Sequence, residues 1–383
     1  MNKKWYLYVN ALSSLGSRMN LIACSALIFT FEHSAYWMTA FFVARQLGGM
    51  LFSPLAGMLA DRMDRRRTMI ASDMGAGLAI LAIAFYPTPY VLVAAAFLNG
   101  MLYTLFHISF QASLPQIFGS EQLVQVNGLK VRLESLVGIM GFMLGGWLTD
   151  HYGYTIVIAL DAASFLFSAW ILTRLRWEEK GDNALATSKA ASSFRVTLRY
   201  LRDTPVLLTI SLLAFLVSLS TSAYNYGLPF LADQLRSDAT LHGLMWTAMS
   251  VGGLIGSYVA ACLRVKLVNG MLVAYAVFSV GIVGAFAANH AVSVLLLLIF
   301  AGLFSGAAQV YESTLLQQAQ NELRGKVMGV QGLLSRSGYF AGFLMAPFLA
   351  GAFTLFGMLV FAQLMFVAGL IGFGLYLVFS PKK

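Results

Sequence analysis

The chain has 383 residues, of which 59% are hydrophobic and only 11% are charged, and its mean hydropathy is +0.75. A soluble domain of this length carries roughly 25% charged residues. The composition therefore excludes an ordinary water-soluble enzyme or binding module and indicates a membrane protein. The formal net charge of +9 fits a nucleic-acid partner only until the positions of the basic residues are considered.

Twelve apolar runs are each long enough to cross a bilayer core about 30 Å thick, which takes about 20 helical residues. They lie at approximately residues 6–31, 36–60, 68–86, 90–113, 124–149, 154–173, 206–231, 241–263, 268–288, 291–317, 327–353 and 355–379. Such runs lack the alternation that is typical of transmembrane strands. The sequence therefore predicts an all-α membrane protein with twelve transmembrane helices.

The basic residues are divided unequally between the two sides of these spans. If the chain begins in the cytoplasm, 19 of the 25 Lys and Arg residues fall on the cytoplasmic side, five lie within spans, and Arg236 alone falls outside. This is the positive-inside pattern, which predicts that both termini are cytoplasmic. It also accounts for the basic net charge, so no nucleic-acid partner is expected.

One long polar segment, 174–204, divides the spans into two groups of six. We expect an N-terminal six-helix bundle over 1–175, a cytoplasmic linker over 176–204 and a C-terminal six-helix bundle over 205–383. Near its end, the linker has apolar side chains on one helical face and basic side chains on another, namely Phe194, Leu198 and Leu201 against Arg195, Arg199 and Arg202. This pattern favours a helix lying on anionic headgroups, with a solvated linker helix as the alternative.

The two halves resemble each other in sequence. Residues 127–138 read NGLKVRLESLVG, and residues 331–342 read QGLLSRSGYFAG. Arg132 and Arg336 are 204 residues apart, and so are Gly153 and Gly357. Two six-helix halves built as a parallel repeat are one known way to make a transporter.

Charge is concentrated in one stretch, residues 57–69, which read GMLADRMDRRRTM. Six of the seven residues from Asp61 to Arg67 carry a formal charge. The stretch resembles the loop motif G-x-L-a-D-R-x-G-R-[RK] of the major facilitator superfamily, with Asp64 where the general motif has Gly. That variant, together with residues 15–42, resembles the drug:proton antiporter-3 branch, and the resemblance covers nearly the whole chain.

The resemblance implies a gating role for the loop, through Gly57, Asp61, Arg62, Arg65 and Arg66. Asp61 is expected to accept hydrogen bonds from the N-terminus of span eleven, where the helix dipole favours an anion. The arginines are expected to pair with acidic side chains and lipid phosphates. Together they would latch the cytoplasmic side shut; the alternative is that the charges only fix the topology.

A second motif lies in span five, where residues 141–146 read GFMLGG. It resembles the family's antiporter motif G-P-x-x-G-G, with Phe142 in place of Pro. Gly141, Gly145 and Gly146 are therefore gating candidates. The glycine face formed by Gly138, Gly141 and Gly145 is expected to pack on Gly252, Gly253 and Gly256 of span eight, so that the halves can rock. Ordinary small-residue packing is the alternative.

In this family spans one, four, seven and ten line a central cavity, so polar side chains within them are candidates for substrate contacts. Span four has four such residues at four-residue intervals, which form one stripe. The expected cavity residues are Asn99, Tyr103, His107, Gln111, Ser222, Asn225, Tyr226, Gln309 and Tyr311. We expect a mostly apolar and aromatic cavity with few charges, which suits an amphipathic ligand.

Ionisable residues inside the spans are candidates for proton coupling. A cation within a span, such as Arg18, requires an anionic partner or a water-filled cavity. Its possible partners are Glu134, Asp161 and Glu312. As proton carriers, the three carboxylates are ranked in the same order. A carboxylate that is protonated when buried and ionised when wet can couple proton flow to alternating access. Glu134 has a local alternative, since Lys130 lies four residues before it. His107 is a further relay candidate, with a structural role as the alternative.

The sequence thus predicts a secondary active, proton-coupled exporter of a small amphipathic compound, such as a drug or a siderophore. It is expected to work as a monomer in the lipid bilayer of a bacterial cytoplasmic (inner) membrane, without enzymatic activity, cofactor or metal. Two alternatives remain open. One is a lipid or lysolipid flippase of the same fold, and the other is a membrane receptor or assembly factor that does not transport.

Overall fold

A computed structural model describes residues 5–32, 34–118, 123–174, 194–236, 238–263 and 265–379. These residues form thirteen α-helices and no strand. The helices are α1 (Trp5–Phe29), α2 (Ser34–Arg62), α3 (Arg65–Phe85), α4 (Pro89–Phe118), α5 (Leu123–Tyr152), α6 (Tyr154–Arg174), α7 (Phe194–Asp203), α8 (Pro205–Arg236), α9 (Ala239–Cys262), α10 (Leu267–Ala287), α11 (Ala291–Gln317), α12 (Asn321–Ala352) and α13 (Leu355–Phe379).

Nine helices in the described ranges are long and apolar enough to cross a membrane, namely α1, α3, α4, α6, α8, α9, α10, α11 and α13. The other long helices, α2, α5 and α12, have 29, 30 and 32 residues. Helices of this length agree with the bilayer constraint, because in lipid the backbone must satisfy its own hydrogen bonds.

The helix ends differ from the predicted spans by a few residues. The end of α4 lies at Phe118, five residues beyond the predicted boundary, and α12 begins six residues before its predicted start. The differences arise because the apolar run marks only the part of a helix that lies in the bilayer core. The helix itself continues for as long as its backbone hydrogen bonds continue. Gly153 has a φ of 82° in the turn between α5 and α6, a conformation that favours glycine.

The short helix α7 forms where the linker pattern predicts it, and part of it packs against the rest of the chain. Thr197 and Leu201 are buried, whereas Leu198 is exposed. The hydroxyl oxygen of Tyr200 accepts a hydrogen bond from the backbone N–H of Gln320 at 3.2 Å. The position of this helix on anionic headgroups stays a prediction, with Leu198 on its accessible surface.

The chain divides into two compact units. Unit 1 consists of Met1–Lys180 and Ala232–Thr247. Within it, α1 packs against α5 and α6, α2 against α4, and α3 against α4 and α6. The segment 232–247 is held on α5 by Asp150, whose two carboxylate oxygens accept the backbone N–H groups of Ala239 and Thr240 at 2.9 and 2.7 Å. These N–H groups belong to the first turn of α9, where backbone N–H groups have no acceptor within the helix.

Unit 2 consists of Gly181–Leu231 and Ala248–Lys383. Within it, α10 packs against α11 and α13, and α12 packs against α13 and α7. Helix α9 approaches α11 so closely that a Cβ atom on Gly252 would meet the backbone of Ile299. In unit 1 the equivalent glycine 204 positions earlier, Gly48, approaches α4 in the same way. The two units therefore share a tight helix pairing.

The glycines of α5 and α9 lie at close contacts between helices. A Cβ atom on Gly141 would lie 2.7 Å from Cβ of Arg18, and one on Gly145 would lie 2.6 Å from Cα of Met19, so both glycines face α1. Gly252 and Gly256 face α11. These four glycines therefore make close contacts inside their own units, and the packing of one glycine face on the other stays a prediction. The spacing of the glycines reveals a smooth face, but it does not reveal the partner.

The contact of Gly145 predicts a difference between two glycine-to-alanine variants. Gly145→Ala places a methyl group against the α1 backbone, and overpacking of this kind costs about 1–3 kcal/mol. Gly372→Ala in α13 meets no atom within 4 Å and gains up to about 1 kcal/mol of helix propensity. Thermal unfolding of the purified proteins should give a lower midpoint for Gly145→Ala than for the parent, and an equal or higher one for Gly372→Ala. Identical midpoints would contradict the packing described.

Candidate functional site

Asp64 in the charged loop caps the N-terminus of α3. Its Oδ1 accepts the backbone N–H of Arg67 at 2.8 Å, and its φ of −55° lies in a region open to any residue. A glycine is therefore not required here, which explains why the chain departs from the general motif. The charges of Asp64 and Arg67 are also 3.7 Å apart, but exposed pairs of this kind stabilise a protein little.

Arg66 holds the other end of a helix. Its Nε donates to the carbonyl of Leu172 at 2.8 Å, and its Nη2 donates to the carbonyl of Thr173 at 2.5 Å. These carbonyls lie in the last turn of α6, where backbone carbonyls have no N–H partner within the helix and the helix dipole favours a cation. Arg66 thus caps α6, while the expected pairing of the loop arginines with acidic side chains or lipid phosphates stays a prediction. The side chains of Gly57, Asp61 and Arg62 lie outside the described part of the structure.

Asp161 is the most enclosed carboxylate of unit 1. It lies in the middle of α6 with 0% of its surface exposed. The absence of a side chain at Gly16 makes room for it, because a Cβ atom there would lie 2.6 Å from Oδ1 of Asp161. Neither carboxylate oxygen has a hydrogen-bond partner among the described residues. The nearby hydroxyls of Ser17 and Ser164 donate to backbone carbonyls instead, at 3.2 and 2.8 Å.

Arg18 is not paired with the carboxylates proposed for it. Its side chain is exposed, its guanidinium lies 5.1 Å from the ring centroid of Phe142, and no carboxylate within the described ranges lies within salt-bridge distance. Glu134 is exposed and lies 3.6 Å from the ammonium of Lys130, which is the local pair left open by the sequence. The structure therefore separates Arg18, Glu134 and Asp161.

Phe142, which replaces the usual proline of the antiporter motif, has a second aromatic contact. Its ring stacks on that of Trp246 with centroids 5.1 Å apart and an interplanar angle of 24°. Trp246 in turn donates its ring N–H to His242 Nε2 at 3.1 Å. A proline could make neither the stacking contact nor the contact with Arg18, so the substitution changes how α5 packs.

The polar stripe of α4 forms on an accessible face. Tyr103 and Gln111 are exposed, and Asn99 and His107 are partly exposed. The rings of Tyr103 and His107 are 5.8 Å apart and nearly perpendicular. The four-residue spacing therefore predicts correctly that these side chains share a face, while their contact with a substrate remains a prediction.

Unit 2 contains a cavity of 540 Å³ between α8, α10, α11 and α12. Eleven of its sixteen lining residues have polar side-chain atoms, and Glu312 is the one charged residue among them. The prediction of few charges fits this cavity, whose lining surface is divided nearly equally between polar and apolar atoms. The polarity arises because four helices each contribute a few hydroxyl or amide groups.

Glu312 lies at the junction of three helices in this cavity. The hydroxyl of Tyr275 in α10 donates to its Oε2, and the amide of Gln331 in α12 donates to its Oε1 at 3.0 Å. On the opposite side, the hydroxyls of Ser218 and Ser335 lie 2.7 Å apart and join α8 to α12. The carboxylate is therefore fixed in position and still faces open space.

The cavity includes only part of the residues predicted for it in the second half. Gln309 and Glu312 line it. The other candidates, Ser222, Asn225, Tyr226 and Tyr311, are not among its lining residues. Helix α8 presents Ser218, Thr221 and Tyr224 to the cavity. The first two belong to the polar run of span seven in which the sequence places substrate contacts, but the rotation of the helix cannot be fixed from sequence when polar residues occur on adjacent faces. Tyr275 and Gln331 were missed, although each is a polar residue within an apolar run.

Comparison with known proteins gives a consistent result. The model of the Major Facilitator Superfamily matches residues 7–342. BacE of Bacillus subtilis strain 168, for which bacilysin export is proposed, is 22% identical over 91% of this chain and 90% of its own. The multidrug efflux pump Tap of Mycolicibacterium fortuitum is 24% identical over 90% and 88%. The enterobactin exporter EntS of Salmonella typhimurium strain LT2 is 27% identical over 74% and 70%.

Solved structures share the fold. The nucleoside transporter NupG superposes with a TM-score of 0.76 at 13% identity, over 99% of this chain and 100% of its own. A bacterial homologue of the human lysosomal transporter Spinster superposes with a TM-score of 0.72 at 14% identity, over 98% and 96%. At such identities the likeness concerns the fold alone.

The cap formed by Asp64 predicts a graded response to substitution. Asp64→Ala removes the acceptor and should destabilise the protein by about 1 kcal/mol, whereas Asp64→Gly should cost only a few tenths. Asp64→Asn keeps a side-chain oxygen and serves as the matched control. Chemical or thermal unfolding of the purified variants measures the order. An Asp64→Ala protein as stable as Asp64→Asn would show that the cap contributes nothing.

Proposed function

Since the chain belongs to the Major Facilitator Superfamily and is a membrane transporter, we propose that it exports a small amphipathic compound by alternating access, in exchange for protons. The observation that carries the export direction is that BacE, Tap and EntS, which align with 91%, 90% and 74% of this chain, are all associated with export by name. Bacilysin, drugs and enterobactin are ligands of those proteins, and their diversity leaves this chain's ligand to be defined by its own site.

For the architecture, we propose twelve membrane crossings, α1–α6 and α8–α13, as two six-helix bundles over 1–175 and 205–383. The linker 176–204 contains α7, which lies at the membrane surface with Arg199 and Arg202 exposed. The 204-residue repeat supports two equivalent bundles, and the positive-inside pattern supports cytoplasmic termini in a bacterial inner membrane. The working unit is a monomer in the bilayer.

For proton coupling, we propose Asp161 as the first carrier. An ionised carboxylate is costly to bury without a partner, and Asp161 has no hydrogen-bond donor among the described residues. Arg45, Asn20, Ser17 and Ser164 lie near it without meeting hydrogen-bond or salt-bridge geometry, so we propose that Asp161 holds a proton when enclosed and releases it when water enters. The pairing of Glu134 with Lys130 makes it a weaker candidate. Arg18 and His107, on accessible faces of α1 and α4, are proposed to act beside the substrate.

For gating, we propose that Asp61 and Arg62 form the cytoplasmic latch with Arg65, close to the α6 cap made by Arg66. Gly57 in the same stretch is proposed to let α2 approach its neighbour. Gly146 of α5 packs against Ala239 and Thr240, and we propose that this contact loosens during transport. The flippase alternative is not favoured, because BacE, Tap and EntS are named for the export of bacilysin, drugs and enterobactin.

The proton-coupling proposal is tested by Asp161→Asn, which keeps the shape of the side chain but removes its proton exchange. Inverted membrane vesicles containing the parent should concentrate at least one compound of an amphipathic drug and siderophore panel when a pH gradient is imposed. Asp161→Asn should lose most of this accumulation and still equilibrate the compound down its own gradient.

The matched control is Asp203→Asn, at an exposed carboxylate of α7, which should behave like the parent. Full accumulation by Asp161→Asn would exclude this residue as the proton carrier. If the parent concentrates no compound of the panel under either gradient direction, proton-coupled export itself is contradicted.

A further inference from the structure

The cavity of unit 2 presents a negative group without a positive one. Among its sixteen lining residues there is one carboxylate, Glu312, and no lysine or arginine. Buried charges in proteins are normally paired. Because the described lining offers Glu312 hydrogen-bond donors but no cation, a ligand that enters the cavity can supply the compensating positive charge.

The geometry of Glu312 leaves room for a ligand that donates hydrogen bonds. A carboxylate has about four lone-pair sites on its two oxygens. The Tyr275 hydroxyl occupies one site on Oε2, and the Gln331 amide occupies one on Oε1. Each oxygen thus retains one acceptor site, while the two protein donors fix the plane of the carboxylate. Such a group is prepared to receive an N–H from outside.

The remaining wall is mainly neutral and polar. Gln309 donates its amide to the Ser305 hydroxyl at 3.2 Å, and Gln309 is itself exposed, so its second N–H and its oxygen are accessible. The paired hydroxyls of Ser218 and Ser335 line the α8–α12 side. These groups match hydroxyl or amide substituents of a ligand more closely than they match a purely lipophilic cation.

We propose that this cavity binds organic amines whose ammonium group carries at least one N–H, with Glu312 as its acceptor. Hydroxyl or amide substituents of the ligand then meet Gln309 and the serine hydroxyls. The inference rests on the proposed function, for which it names the substrate class. A quaternary ammonium ion is disfavoured, because it has no hydrogen to donate. A volume of 540 Å³ lies in the range of about 300–1,000 Å³ that is usual for drug-sized ligands.

Three probes with one aromatic skeleton test this class, namely tryptamine, its N,N,N-trimethyl derivative and N-acetyltryptamine. Binding to the purified full chain in lipid nanodiscs is measured by calorimetry at one pH. Since a hydrogen bond to a charged group is worth about a tenfold change in affinity or more, tryptamine should bind at least about tenfold more tightly than either analogue. Equal affinities, or no binding by any of the three up to their solubility limits, would overturn the proposal.

Two variants assign the preference to Glu312. Glu312→Gln should bind the three probes with similar affinity, whereas Glu32→Gln, an exposed glutamate between α1 and α2, should retain the preference of the parent. Retention of the preference by Glu312→Gln would assign it to another group and contradict the proposal. The comparison of the probes on the parent needs no variant, so it decides the ligand class even if Glu312→Gln does not fold.

Failure of this inference is distinguishable from failure of the proposed function. Binding of tryptamine that depends on Glu312, without transport in vesicles, would support the site and contradict export. Proton-driven export of neutral compounds that is unaffected by Glu312→Gln would support export and contradict this substrate class.

Discussion

A bilayer offers no hydrogen-bond partner to a polar group, and this constraint governs where the chain places its charges. Arg66 meets it by donating to the last carbonyls of α6. Glu312 meets it by accepting from Tyr275 and Gln331. Asp161 is enclosed beside Gly16 without a donor among the described residues. The contacts of Arg66 stabilise the end of a helix. The carboxyl groups of Glu312 and Asp161 remain able to bind a cation or a proton, which transport can use.

The positions of the helices follow from the sequence, because a run of about 20 apolar residues has few alternatives in lipid. The stripe on α4 is equally predictable, since its four polar residues repeat at one helical spacing. The rotation of α8 is not, because Ser218, Thr221, Ser222 and Asn225 cover adjacent faces. Packing against α10 and α12 selects the face with Ser218 and Thr221, and such packing is not encoded in a local pattern.

Partner choice is the other property that the sequence leaves undetermined. The glycines of α5 are visible as a smooth face, yet Gly141 and Gly145 contact α1 while Gly146 contacts the start of α9. In the sequence, Asp64 is only a departure from the loop motif; the structure adds that its side chain caps the N-terminus of α3. The polarity of the unit 2 cavity likewise becomes apparent only when four helices are assembled. In each case the missing information is long-range, because it depends on residues far apart in the chain.

The carboxylates of Asp161 and Glu312 support separate tasks. Asp161 has no ligand-accessible surface, which suits a proton, while Glu312 faces a cavity of 540 Å³, which suits a cationic ligand. The most direct test of this exchange is the number of protons released when tryptamine binds, obtained by calorimetry in buffers of different ionisation enthalpy. We predict that binding heats depend on the buffer, because Asp161 gives up its proton as the ligand binds. Heats that are independent of the buffer at every pH tested would contradict proton-coupled exchange.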